Sequence, residues 1–230
     1  MGKFDGIMTL SEQERQEYLR KYGFSPDQVT ANPAPYNTDI YAPHPGVTTD
    51  EKNPHVLAFG VSKRDYPTLV EAMRIIPDVE GIFNPYSPSD PLKDSSWMKD
   101  LPSNITIDPS PKTPETFRDS VLHSKAVVLA IEENVQQSEA GCTAAQAAGA
   151  MERPIIAATL GLKDYIKDGE TGIIVPPRNP EALAKAINYL WLNPHIAREM
   201  GRKGREFMIK EHSPEAWVRR SEQIMNINGS

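Results

Sequence analysis

Two glycine turns hold the residues best suited to chemistry. The first is Gly60-Val61-Ser62-Lys63-Arg64-Asp65-Tyr66, at the end of the apolar run His55–Phe59. A glycine there permits a tight turn and close backbone approach. The helix expected from Tyr66 offers unpaired N–H groups and the positive end of its dipole. Lys63 and Arg64 add charge at the same place, and an arginine can bind a diphosphate bidentately. The same residues also make an ordinary polar turn in which Asp65 caps a helix. The second turn is Ser138-Glu139-Ala140-Gly141-Cys142-Thr143, opening an alanine-rich helix. It is a second anion site of the same kind. Glu139 is placed to accept hydrogen bonds from ligand hydroxyls, or it is a solvated loop carboxylate. Cys142 sits at a helix start, where thiol pKa values fall. No partner histidine is identifiable, and a small buried residue is the plain alternative.

Other chemistries leave no trace. The histidines, His44, His55, His123, His195 and His212, have no metal-ligand spacing. There is no H-E-x-x-H, G-x-S-x-G, P-loop, C-x-x-C or G-x-G-x-x-G pattern. No metal site is expected.

The elements that must position these turns follow from periodicity. Apolar runs at His55–Phe59, Val79–Phe83, Ile105–Ile107, Ala126–Ile131, Pro154–Ala158 and Gly172–Val175 read as strands. Helices are expected over Tyr66–Ile76, from the Thr113-Pro114 cap to about Leu122, and over Thr143–Met151. Asn179-Pro180, Asn193-Pro194 and Ser213-Pro214 each put a capping side chain before a helix-starting proline. Strands apolar on both faces and alternating with helices indicate an α/β fold: a Rossmann-like parallel sheet with helices on both sides. Such sheets bind ligands beyond the carboxyl ends of their strands, where the strand order reverses. Upstream, Gly6–Leu10 reads as a short strand. A helix to Tyr22 follows, with Ser11 and Glu14 as a capping box and Gly23 as its stop. Residues 32–53 read as linker and loop.

The bulk numbers fit one or two soluble domains. The chain has 230 residues, 39% of them hydrophobic, and a formal charge of −6. That charge gives no reason to expect a nucleic-acid partner. With Cys142 the only cysteine, an internal disulfide is excluded and a cytoplasmic location is the natural reading. No stretch is long and apolar enough for a membrane span, and peripheral membrane association is left open.

Several segments resemble the donor-binding, C-terminal domain of GT-B glycosyltransferases of family 4, the group 1 type. They are Gly60–Leu69, Gly141–Ala157 and, most specifically, Gly161–Pro177 (G-L-K-D-Y-I-K-D-G-E-T-G-I-I-V-P-P); Pro180–Ala184 and Ala197–Gly201 continue the register. Ile7–Tyr22 resembles the last strand and helix of the family's acceptor domain. The resemblance implies three parts: residues 1–31 as an acceptor-domain remnant, 32–53 as linker, and 54–230 as a Rossmann-like nucleotide-sugar-binding domain with C-terminal helices. It implies Gly60, Ser62 and Arg64 on the diphosphate side, with Lys63 offsetting charge. It puts Glu139, Gly141, Cys142 and Thr143 at the sugar and phosphates, Glu139 as the catalytic carboxylate, and Asp108–Ser110 near the base.

The activity implied is transfer of a sugar, of hexosyl type, from a nucleoside-diphosphate sugar with retention. No cofactor is implied beyond that donor substrate. The acceptor domain is expected from a separate subunit or another protomer. A non-catalytic binding module or a truncated product is the alternative. Three departures bear on it. Ala147 stands where many members carry a second glutamate that holds the ribose; losing such a bond costs on the order of 1.5–3 kcal/mol. Val61 replaces a frequent arginine, and Glu152 replaces a frequent glycine. On sequence alone, Ala147→Glu is expected to strengthen nucleotide binding.

Overall fold

The computed structural model describes residues 6–43, 53–60, 63–85, 96–110, 113–132 and 141–227. In chain order, β1 (Ile7–Thr9), α1 (Glu12–Tyr22) and β2 (Val29–Ala31) form a small unit whose strands pair in parallel, Ile7 opposite Val29. The main sheet follows. Its strands are β3 (Val56–Phe59), β4 (Gly81–Asn84), β5 (Ile105–Ile107), β6 (Ala126–Ala130), β7 (Ile155–Ala158) and β8 (Gly172–Val175). All neighbours are parallel, in the order β5-β4-β3-β6-β7-β8. The helices are α2 (Tyr66–Ile75), α3 (Pro114–His123), α4 (Cys142–Ala150), α5 (Pro180–Leu192), α6 (Pro194–His212) and α7 (Pro214–Ile227).

The sheet is apolar on both faces because alternate residues of each strand serve different cores. Val56 and Ala58, with Val128 and Ile156, pack against Leu69 and Met73 of α2 and Leu183 and Ile187 of α5. Leu57, with Val127, Leu129 and Ile155, packs against Val121 and Leu122 of α3, the alanines of α4 and Met208 of α6. The small residues of α4 let α6 come close. A Cβ on Gly201 would lie 2.1 Å from the carbonyl oxygen of Glu152, so only glycine fits there.

Caps fix the helix starts largely as the sequence implies, with two differences. Ser11 accepts from the Glu14 N–H at 3.0 Å, but the Glu14 carboxylate reaches back to the Leu10 N–H at 2.9 Å, one residue before the cap. Asn179 and Ser213 cap α5 and α7 through Ala182 N–H and Ala216 N–H. Asn193 does not cap α6; its amide donates to Tyr189 O at 2.7 Å and closes the end of α5 instead.

The expected linker is, over its described part, a strap laid on the domain. Tyr36 N–H donates to His212 O at 2.7 Å, Gln146 Nε2 to Ala34 O at 2.7 Å, and Arg205 Nη1 to Thr38 O at 3.1 Å. Asn32, fully buried, receives Arg220 Nε at 2.8 Å and donates to Ser221 Oγ at 2.9 Å. Asp164 accepts the Glu12 N–H at 2.9 Å and so caps α1 from across the junction.

Glu152 ends α4 in the left-handed region, at φ 57°. A side chain is strained there and glycine is not. Glu152→Gly is expected to raise stability by about 0.5–1 kcal/mol in urea denaturation; a loss would show that its side chain outweighs the strain.

His212 is 1% exposed. Its Nε2 lies 3.0 Å from Asp164 O, its ring stacks on Tyr165 at 4.9 Å, and its Nδ1 is buried with no hydrogen-bond partner. Burial pushes its pKa down to about 4; the Asp164 carbonyl opposes this, Arg220 adds to it and Glu211 opposes it. The unfolded chain therefore binds more protons between the ordinary value of 6.5 and about 4. Stability should fall as pH drops through that window, by on the order of 3 kcal/mol in full. Burial raises the Asp164 carboxyl, which acts with the opposite sign in the carboxylate range. Urea midpoints between pH 7.5 and 4 should slope accordingly and flatten in His212→Gln; an equal slope in both proteins would contradict this.

Candidate functional site

The strand order reverses between β3 and β6: the chain adds β4 and β5 on one side and β7 and β8 on the other. Gly60 follows β3, and the Gly141 turn lies between β6 and α4. The pairing of these strands, Val56 with Ala126 and Leu57 with Val127, brings both turns to one place.

The first turn is tied directly to the end of β6. Glu132 N–H donates to Lys63 O at 3.0 Å, Asp65 N–H donates to Ala130 O at 3.0 Å, and Arg64 bridges Ile131. Gly60 has φ 96° and Lys63 φ 57°, so the chain turns sharply twice within four residues. Arg64 folds back over this turn: its Nε donates to Phe59 O at 3.0 Å. A Cβ on residue 60 would lie 2.8 Å from Arg64 Nη2, so the glycine is required both by its backbone angle and by the arginine head. Burial lowers the Arg64 pKa, while Tyr66 and the Cys142 thiol act in the other direction. Tyr66, pushed up by burial, stays a phenol and donates to Gly60 O at 2.7 Å. Asp65 takes the capping role, accepting Thr68 N–H at 3.1 Å.

The second turn leads to α4 through Gly141 at φ 87°, with no side-chain cap. A helix start that follows a glycine turn presents its backbone N–H groups and positive dipole end to an anion. Thr143 is exposed there, while Cys142 is buried in the apolar core, which is the plain alternative for that thiol. Ser62 and Glu139 lie outside the described residues. Asp108, expected near the base, follows β5; its carboxylate accepts the Ser110 N–H at 3.1 Å and the Ser110 hydroxyl.

Asn84 lies between these two groups of residues, although the sequence alone did not single it out. It ends β4, is 4% exposed, and hydrogen-bonds both the Gly60 turn and the Asp108–Ser110 loop. The available signal was a polar side chain at the carboxyl end of an otherwise apolar strand. Among the described residues no cluster of three or more metal-ligating side chains occurs, and no helix is long and apolar enough to cross a membrane. A cavity of about 710 Å3 lies at the opposite, amino end of the strands, lined by Lys125, Arg153, Pro154, His195 and Arg198 among others.

Residues 110–207 match the family described as Glycosyl transferases group 1. That segment is similar to the family's domain. It takes in α3 through most of α6 and the whole β6–α4 side of the cleft. A 52-residue stretch is 44% identical to the D-rhamnosyltransferase WbpZ of Pseudomonas aeruginosa, covering 22% of this chain and 14% of that one. A glycosyltransferase from Rickettsia africae superposes with a TM-score of 0.77 at 19% identity, over 97% of this chain and 63% of that one. HepE of Anabaena, solved in complex with UDP and glucose, gives 0.73 at 13% identity, over 98% and 63%. The chain thus spans less than two thirds of each of these proteins. The fold is the Rossmann-like half of the GT-B architecture, as the resemblance implied.

Within the matched segment, Ala147 is fully buried in the core that α4 makes with the sheet. Its neighbour Gln146 faces the strap instead. A carboxylate at 147 would lose its hydration without a partner in that core, so Ala147→Glu is now expected to cost on the order of 3 kcal/mol or more. Urea denaturation checks this. Unchanged stability with tighter nucleotide binding would restore the expectation drawn from the sequence alone.

Proposed function

We propose that this chain is the donor-binding part of a glycosyltransferase that takes a sugar of hexosyl type from a nucleoside-diphosphate sugar, with retention. The observation that carries this reading is the tie between the Gly60–Arg64 turn and the end of β6. It holds the Arg64 guanidinium on the Phe59 carbonyl at the switch point, where Gly141 lies against Ile131 and opens α4. A diphosphate suits that pairing because its two charged groups meet a bidentate donor and a row of backbone N–H groups. The Asp108–Ser110 loop, across β4 and β5, then receives the base. Glu139, beside the second turn in sequence, is assigned to the transferred sugar. Ser62, Lys63, Cys142 and Thr143 complete the contacts, those of Cys142 being through its backbone. HepE, which shares this fold, was solved with UDP and glucose, which supports a donor of this class. No metal or cofactor enters the reading. The acceptor is met on a second domain, since a cleft with one wall excludes water poorly. A non-catalytic nucleotide-binding module is the second reading, favoured by the buried alanine at 147.

Calorimetric titration with UDP, GDP and ADP and their sugar conjugates tests the reading. One nucleoside diphosphate should bind saturably. Arg64→Ala should weaken it by about 10–100-fold while leaving the nucleoside nearly unchanged, the size of a lost charge-assisted contact. Equal weakening of both would remove the phosphate role from Arg64. Glu139→Gln should weaken the sugar conjugate more than the bare nucleotide, and an unchanged sugar preference would count against its assignment.

A further inference from the structure

Asn84 joins the two ends of the proposed nucleotide site. It is the last residue of β4, opposite Phe59 of β3, and its carbonyl accepts the Gly60 N–H at 3.1 Å. On the other side β4 pairs with β5, Phe83 opposite Ile107, so the Asn84 side chain reaches the loop just beyond β5. Its Nδ2 donates to Asp108 O at 2.6 Å and to Ser110 O at 3.0 Å. A primary amide carries two N–H donors on one nitrogen, and both are used on the same loop. Asp108 N–H donates to Phe83 O at 2.8 Å, and the Asp108 carboxylate closes the loop on Ser110 N–H. The loop is therefore held by the strand end on one side and by its own carboxylate on the other.

Other side chains at position 84 would not do this. Two carbonyl oxygens need two donors. Aspartate brings only acceptors at neutral pH, serine a single donor, and alanine none. The side chain is 4% exposed, so water has little room to replace the lost bonds.

We propose that Asn84 is a positioning residue for nucleotide recognition. It holds the Asp108–Ser110 loop in fixed register with the Gly60 turn and thereby sets the spacing between base-side and diphosphate-side contacts. The proposal rests on the reading of this cleft as a nucleoside-diphosphate site. Its action is through the loop, with no contact to ligand required. The backbone carbonyl that meets Gly60 is present whatever the side chain, so the diphosphate side should survive substitution.

The test titrates the wild-type chain, Asn84→Ala, Asn84→Asp and Asn84→Ser with UDP, GDP, ADP, the matching nucleosides and inorganic pyrophosphate. For the nucleotide that the wild type prefers, Asn84→Ala and Asn84→Asp should weaken binding by about tenfold or more, and the preference over the other two bases should shrink. Asn84→Ser, retaining one donor, should lie between. Pyrophosphate affinity should stay within about twofold throughout. A general loss of folding would lower pyrophosphate and nucleotide together and leave the ratio among bases unchanged. That pattern, or nucleotide binding and base preference unchanged in all three variants, would overturn the proposal. If the wild type binds pyrophosphate but none of the nucleotides, or nothing at all, the donor reading itself falls and the proposal with it. That outcome differs from a variant-specific failure because it appears before any substitution.

Discussion

The hydrogen-bonded pairing of β3 with β6 is the constraint on which everything else depends. Those strands come from distant parts of the chain and meet where the sheet changes its direction of growth. A parallel sheet needs a long crossover between neighbouring strands, so each strand end opens into a loop at the same edge. At the reversal, the loops from β3 and β6 diverge to opposite faces and leave a crevice between them. The Gly60 turn and the start of α4 are neighbours for that reason alone. Arg64 then locks the turn from inside, through the Phe59 carbonyl and the bridge to Ile131. The binding chemistry proposed for this chain is thus a consequence of sheet topology completed by one half-buried arginine and one glycine.

Packing on the far side serves the same crevice. The alanines of α4 and the glycines of α6 let the two helices approach to backbone contact, which fixes where α4 begins. The small N-terminal unit is held by a second set of bonds: Asp164 on the α1 start, Asn32 between Arg220 and Ser221, and the strap residues on Gln146, Arg205 and His212. These are polar, partly buried contacts of directional kind. They specify one placement of the unit against the domain more than they contribute apolar burial.

The fold was legible because its signals are local. The strands Ile105–Ile107 and Gly172–Val175 were readable to the residue from apolar runs, and the proline-led helices from their caps. Glu152, flagged as an unusual replacement for glycine, proves to occupy a left-handed backbone angle that favours glycine. What was not legible depended on partners remote in sequence. β2 is three residues long and is a strand only because β1 pairs with it. The strap of residues 32–43 lacks periodicity because its bonds run to groups remote in sequence, on Gln146, Arg205, His212, Arg220 and Ser221. Asn193 looked like a cap for α6, yet its amide found the carbonyl of Tyr189 first. Asn84 escaped notice because its role is defined by two loops it does not adjoin in sequence. Position 147 was read from its register with the family, but its burial is set by the sheet beneath α4.

The most direct test of the central claim is a map of amide shifts in nuclear magnetic resonance spectra as the preferred nucleoside diphosphate is added. Perturbations should concentrate at Gly60, Lys63, Arg64, Asp108, Ser110, Cys142 and Thr143, around the carboxyl ends of β3, β5 and β6. Shifts centred instead on Lys125, Arg153 and Arg198, at the amino-end cavity, would contradict the account and move the ligand to the other side of the sheet.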